Sequence, residues 1–202
     1  SGKRITRAHD DAAGQAIAGR MESQIRGLMM GVRHAKDGQS MVDVQEGALQ
    51  EVAAILQRMR ELAVQSSSGV ATTTDQDYLN TEMTALTAEL DAISANTEFN
   101  GTTVMSTAYT FVTDIDASGT AITVAAGTMG SAALSVPMAL VSIGGSSTVS
   151  ITSVLTSIDA GIATVANRRA TLGAVSNRFD HIIDNLTNVI ANTEAAKSRV
   201  ED

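Results

Sequence analysis

Apolar residues recur every seven positions at both ends of this chain. In the first long segment Met21, Leu28, Ala35, Val42, Leu49, Leu56 and Ala63 follow one another without a miss. Ile25 and Val32 accompany them in the first half, Val52 and Met59 in the second, so the seam shifts from an a/e to an a/d arrangement. A seven-residue repeat sustained this far predicts helices wound around one another rather than one helix lying on a sheet. Asp10 or Asp11 stands where an N-cap is wanted, and Ser66-Ser67-Ser68-Gly69 reads as a stop. One helix over about 12–66 would run to roughly 80 Å at 1.5 Å per residue. That exceeds the diameter of a compact domain of this size, so the pattern predicts a rod.

Two further helices are expected. Asp75 can cap one that runs to about Asn96, with Leu79, Met83, Leu86, Leu90 and Ile93 on an a/d stripe. The other covers about 154–199, where Ile158, Val165, Leu172, Phe179 and Leu186 are spaced by seven and Val175, Ile182, Val189 and Ala196 fill the companion positions. Residues 102–153 differ sharply: 19 of 52 are Ser or Thr and the only charges are Asp114 and Asp116, so this stretch resembles neither end. Its β-branched runs Thr110-Phe111-Val112-Thr113 and Ala121-Ile122-Thr123-Val124 suit short strands. Asp116-Ala117-Ser118-Gly119 and Gly144-Gly145-Ser146-Ser147 suit turns, and Pro137, the only proline, falls here too. A disordered Ser/Thr linker is the competing reading. The expected fold is mainly α with a small β region, an elongated rod of long antiparallel coiled-coil-like helices plus β-hairpins. Its expected parts are residues 1–104 (long helix about 12–66, second helix about 75–96), a short variable hairpin region over 105–153, and a C-terminal helix of the same core over 154–202.

Six glycines, Gly14, Gly19, Gly27, Gly31, Gly38 and Gly47, interrupt the first heptad run. Each costs about 1 kcal/mol relative to Ala inside a helix. They either admit close neighbours or loosen the helix near Lys36-Asp37-Gly38.

Composition narrows the function classes. With no Cys among 202 residues, disulfide scaffolds and Cys-based metal sites are excluded. No run reaches the ~18 apolar residues of a membrane-spanning helix, so membrane insertion is not expected. A formal charge of −8 with 2% aromatic residues argues against a nucleic-acid partner. Residues 1–36 carry seven Lys and Arg against three acids, while the rest of the chain is strongly acidic. That polarity could steer association between copies or simply solvate helix faces.

The search for chemistry returns little. His9, His34 and His181 are scattered, and Asp180-His181 with Asp184 is more often a surface contact than a metal site. Asp10-Asp11 is better explained by capping than by paired-carboxylate catalysis. No phosphate-binding glycine loop or nucleophile elbow is present. Asn100-Gly101-Thr102 and Asn185-Leu186-Thr187 match a glycosylation pattern, but the first reads as a turn and the second holds a seam leucine. The sequence supports no enzyme and no cofactor or metal.

Ordered blocks carry a resemblance. Ser1-Gly2-Lys3-Arg4-Ile5, Asp10-Asp11-Ala12-Ala13-Gly14-Gln15-Ala16-Ile17-Ala18, Glu46-Gly47-Ala48-Leu49, Leu56-Gln57-Arg58-Met59-Arg60-Glu61-Leu62-Ala63-Val64-Gln65-Ser66, Phe99-Asn100-Gly101, Leu172-Gly173-Ala174-Val175-Ser176-Asn177-Arg178-Phe179 and Ser198-Arg199-Val200-Glu201-Asp202 closely resemble conserved regions of bacterial flagellins. The resemblance implies a helical core joined by hairpins, with a variable region inserted between its helical ends. It also implies a Cys-free structural subunit exported unfolded, extracellular once assembled, and stacked head to tail into the motile filament. Other flagellin subunits, an export chaperone and cap proteins are the partners it implies. The chain begins and ends inside the matching blocks, so a trimmed core unable to polymerise is a further expectation.

The same resemblance implies recognition by a Toll-like innate receptor through Gln57, Arg58 and Leu62 on the first helix and Glu82 on the second. Otherwise Leu62 shields its own seam and the polar residues solvate a face. The runner-up function is a cell-surface adhesion module whose Ser/Thr-rich hairpins bind a glycan; an enzyme is a distant third.

Overall fold

The computed structural model describes residues 11–68, 72–113, 121–136 and 151–201. Three long helices dominate, α1 (Ala12–Ser66), α2 (Thr73–Asn96) and α3 (Ile151–Glu201). Between α2 and α3 lie β1 (Glu98–Phe99), β2 (Thr102–Thr103), β3 (Tyr109–Val112) and β4 (Ala121–Val124). β1 pairs antiparallel with β2, and β3 with β4. The fold is therefore mainly α with a small β component. Gly69, the turns expected at 116–119 and 144–147, and Pro137 lie outside the described residues.

Local chemistry sets the element ends. Asp11 Oδ1 accepts from the backbone N–H groups of Ala13 and Gly14 at 3.0 and 2.9 Å, satisfying two donors that the first turn of α1 leaves free. At the start of α2 the N-cap is Thr72, and Asp75 completes a capping box instead of serving as the cap itself. The Thr72 hydroxyl accepts from Asp75 N–H, and the Asp75 carboxylate accepts from Thr72 N–H at 3.0 Å. Asn100 and Gly101 both have positive φ, 51° and 74°, as a two-residue turn between β1 and β2 requires.

The buried stripes follow two different periods. On α1, Leu28, Ala35, Val42, Leu49, Leu56 and Ala63 are buried, and so are Gly31, Gly38, Gln45, Val52, Met59 and Ser66, a second row spaced by seven. The a/d seam thus already holds at Gly31, where apolar counting puts the companion at Val32; the seam there is built from glycine and glutamine. Met21 is only half-buried. On α2 the buried line is Gln76, Leu79, Met83, Thr87, Leu90 and Ser94, while Leu86 and Ile93 are half-buried. That spacing is close to 3.6, the period of a straight helix, which drifts away from a seven-residue repeat. On α3, Ile158, Val165, Leu172, Phe179 and Leu186 are buried, Val175 and Ile182 half-buried, and Val189 exposed.

The chain divides into two compact units. The first comprises Ser1–Ser40, Tyr109–Val124 and Ala174–Asp202. Here α1 and α3 run antiparallel, since Gln39 bonds Asp180 while Glu22 bonds Lys197. Phe179 of α3 packs its ring over Gly38 and meets Phe111 of β3 edge-on, with centroids 5.8 Å apart. His34 Nδ1 donates to the Val112 carbonyl at 3.0 Å, and the Thr113 backbone lies against Gly31. The two glycines are seats for these neighbours.

The second unit comprises Met41–Ala108 and Ala125–Gly173. Leu49, Val52, Leu56, Met59 and Leu62 of α1, Met83 and Leu90 of α2, and Ile158 and Val165 of α3 are all buried. Residues 125–136 are tied down by polar contacts. Asp91 accepts from Ser131 N and Oγ at 2.7 and 2.9 Å, the Ser94 hydroxyl accepts from Met129 N, and Arg168 donates to the Ala125 carbonyl. Desolvation by burial pulls the Arg168 guanidinium below its ordinary pKa.

Candidate functional site

The surface picked out by the sequence lies on α1 and α2 of the second unit. Helical spacing puts Gln57 and Glu61 on the side of α1 away from Leu56 and Met59, and Arg58 at the edge of the buried stripe one turn from Leu62; all three are exposed. Arg58 Nε donates to Glu82 Oε1 at 2.7 Å, and its Nη1 donates to Glu61 Oε2 at 3.0 Å. The hydrogen bond that Arg58 donates to Glu82, then the one it donates to Glu61, raises the Arg58 pKa above its ordinary value. Arg58 and Glu82 remain nearly half exposed, so the pair can exchange partners with an incoming polar surface. Leu62 is not on this surface. It is fully buried, because position 62 falls on the inward stripe with Met59 and Ala63.

Two more ion pairs join α1 to α3 in this unit. Arg60 Nε meets Asp159 Oδ1 at 2.7 Å, and Arg169 Nη2 meets Glu46 Oε1 at 2.6 Å. They run in antiparallel register. In the first unit Lys197 bonds Glu22, and Arg26 bonds the same glutamate at 3.0 Å. The Lys197 hydrogen bond is the main cause holding Glu22 below the ordinary carboxylate range, and Glu22 in turn raises Lys197. The pairs Arg60–Asp159 and Arg169–Glu46 were invisible in the sequence, since only the antiparallel register brings α3 side chains opposite α1, whereas Arg58–Glu61 is an i,i+3 pair within α1.

The His181 cluster lies on the α3 surface. Asp180 accepts from Gln39, and His181 is exposed beside it. Among the described residues no group of three His, Cys, Asp or Glu could hold a metal ion. No described helix is long and apolar enough to cross a membrane. Long helices, ion pairs between their surfaces and seams of small and apolar residues make a mainly helical, coiled-coil-like fold.

Comparison with known proteins gives the family. The profile for the bacterial flagellin N-terminal helical region fits residues 1–110, and that for the bacterial flagellin C-terminal helical region fits residues 155–202. A flagellin of Halalkalibacterium halodurans is 41% identical, covering 100% of this chain and 74% of its own length. A flagellin of Bacillus subtilis is 39% identical, covering 100% of this chain and 77% of its own. The crystal structure of Bacillus cereus flagellin superposes with a TM-score of 0.64 at 29% identity, covering 82% of this chain and 94% of that one. The chain belongs to the bacterial flagellin family and is a structural subunit of the flagellar filament. Flagellins form the extracellular flagellar filament by assembly with other flagellin subunits.

Proposed function

We propose that this chain works outside the cell as a repeating, non-catalytic filament subunit, exported with a dedicated chaperone and cap, and that its Gln57–Arg58–Glu82 surface can meet an innate receptor. One observation carries the structural part. The two segments that fit the flagellin profiles are the two that the antiparallel pairs Glu22–Lys197, Glu46–Arg169 and Arg60–Asp159 tie together, one pair in the first unit and two in the second. A subunit stacked in series needs that kind of side-to-side bracing more than it needs a cleft. The adhesion reading is not favoured, since the family match accounts for both helical ends without it.

Mass spectrometry of filaments sheared from the producing cell tests the assembly role. Tryptic peptides 37–58 and 170–178 should dominate the digest; their absence from purified filaments would reject it. The receptor role rests on exposed Gln57 and Arg58 and half-buried Glu82, with Leu62 buried one turn along α1 from Arg58. Arg58→Asp should weaken binding to an immobilised Toll-like receptor ectodomain at least tenfold, about 1.4 kcal/mol, and unchanged affinity would remove these residues from the contact.

A further inference from the structure

Seven of the described methionines fall into two sharply separated groups. Met41, Met59, Met83, Met105 and Met129 are buried, none above 5% exposed. Met29 and Met30, consecutive on α1, are 49% and 46% exposed. Met21 is intermediate, and Met138 lies outside the described residues. The outward pair is not explained by the helix seam, whose inward positions here are Ile25, Leu28 and Gly31.

Successive residues on an α-helix point about 100° apart, so the two thioethers face different directions. Met29 lines a groove between α1 and α3 with Ile25, Glu22, Arg26 and Lys197. Ile25 is buried at its floor, which leaves Met29 as an accessible apolar wall beside the Glu22–Lys197 and Glu22–Arg26 ion pairs. Met30 stands on the neighbouring side of α1.

We infer that Met29 and Met30 form an oxidation site for peroxide-class oxidants, distinct in reactivity from the methionines of the core. The thioether sulfur attacks one oxygen of hydrogen peroxide. An S–O bond forms as the O–O bond breaks, a proton passes to the departing hydroxide, and water leaves. Sulfur is oxidised by two electrons and the peroxide is reduced by two. The product sulfoxide is polar and chiral, and a methionine sulfoxide reductase reverses it. At Met29 it replaces the apolar wall of the groove with a strong hydrogen-bond acceptor next to Arg26. Because neither sulfur contributes to a buried seam, the helices stay folded through the change. The site is therefore a surface switch, whereas oxidation of Met59 or Met83 would disrupt the core.

Trypsin releases both residues on one peptide, 27–33, between Arg26 and Arg33. The test treats the folded chain with limiting hydrogen peroxide, quenches at intervals and follows each methionine peptide by mass. Peptide 27–33 should gain one and then two oxygen atoms at an initial rate about tenfold above Met41 in peptide 37–58 and above Met83, Met105 and Met129, which share tryptic peptide 61–168 with Met138 and are read individually by fragmenting it. Methionine sulfoxide reductases A and B together, one for each epimer, supplied with dithiothreitol as reductant, should return it to its starting mass, with the far-ultraviolet circular dichroism unchanged throughout. In M29L/M30L the fast phase should vanish. Equal rates for exposed and buried methionines, loss of helical signal as 27–33 oxidises, or a fast phase that survives the double substitution would each overturn the assignment. The wild-type map decides the question even where the double variant folds poorly.

Discussion

Gly38 and Gly47 sit nine residues apart in one helix and answer to different constraints. A Cβ added at Gly47 would meet nothing within 4 Å, and the same holds at Gly19. One added at Gly38 would overlap the Phe179 ring, and one at Gly31 would come within 2.7 Å of the Thr113 carbonyl oxygen. The helix gains about 1 kcal/mol from Gly→Ala wherever space allows, whereas overpacking a filled seam costs about 1–3 kcal/mol. Gly47→Ala should therefore raise the denaturation midpoint and Gly38→Ala should lower it, read by chemical denaturation of the two variants side by side. A midpoint for Gly38→Ala above wild type would show that Phe179 is free to move. Leu62 poses a similar contrast with its neighbour Arg58. Leu62→Ala opens a cavity in a fully buried site and should cost about 2–5 kcal/mol. Receptor binding by that variant, measured where it is still folded, should stay close to wild type. Loss of affinity in the folded Leu62→Ala protein would return Leu62 to the contact surface.

At the scale of elements, α1 and α3 were readable because their apolar residues, alanine, methionine and phenylalanine included, repeat by seven without interruption. What could not be read was the second row of α1. Gly31, Gly38 and Gln45 hold seam positions that an apolar count passes over, since the partners that make them suitable, Thr113, Phe179 and Val104, come from distant parts of the chain. The α2 stripe was misplaced for another reason: Leu79, Leu86 and Ile93 suggest a heptad, but a straight helix turns Thr87 and Ser94 inward instead. Both polar groups are satisfied there, Thr87 Oγ1 by donating to the Met83 carbonyl at 2.8 Å and Ser94 Oγ by accepting from Met129 N. The receptor-type surface was legible as residue names and only partly as geometry, because exposure at 57, 58 and 62 depends on which α1 face the other helices cover. The start of α2 carries its own prediction. Thr72 is the only side chain that accepts from Asp75 N–H in the described structure, so Thr72→Ala should cost about 1 kcal/mol. Hydrogen exchange should speed up in the first turn of α2 while the middle of α1 keeps its protection; uniform change across both helices would refute a local cap.

For the molecule as a whole, 22 acidic against 14 basic residues make pH the broadest control. Two carboxylates are held low by partners in both units. Glu22 is depressed by hydrogen bonds from Lys197 and Arg26, and Asp75 by hydrogen bonds from the Thr72 side chain and backbone. A carboxylate whose folded pKa lies below its unfolded one stabilises the fold at every pH above the ordinary range near 4. That contribution fades as pH falls through the unfolded value and is gone below the folded one. Lys197 has the opposite sign, being raised by Glu22. Its contribution is complete below the ordinary lysine value of about 10.4 and is lost only as pH climbs past the raised one. The stability profile should accordingly be flat through neutrality and fall at both extremes. Both carboxylates are solvent-exposed, so the specific effect is small beside the general rise in positive charge as all acids protonate. Comparing wild type with Glu22→Gln/Asp75→Asn isolates it. The double variant should be less stable than wild type at pH 7 and converge on it near pH 2, because only wild type has that stabilisation to lose. A constant gap between the two denaturation curves from pH 7 to pH 2 would mean that neither carboxylate is bound more tightly to its partners in the folded chain than in the unfolded one.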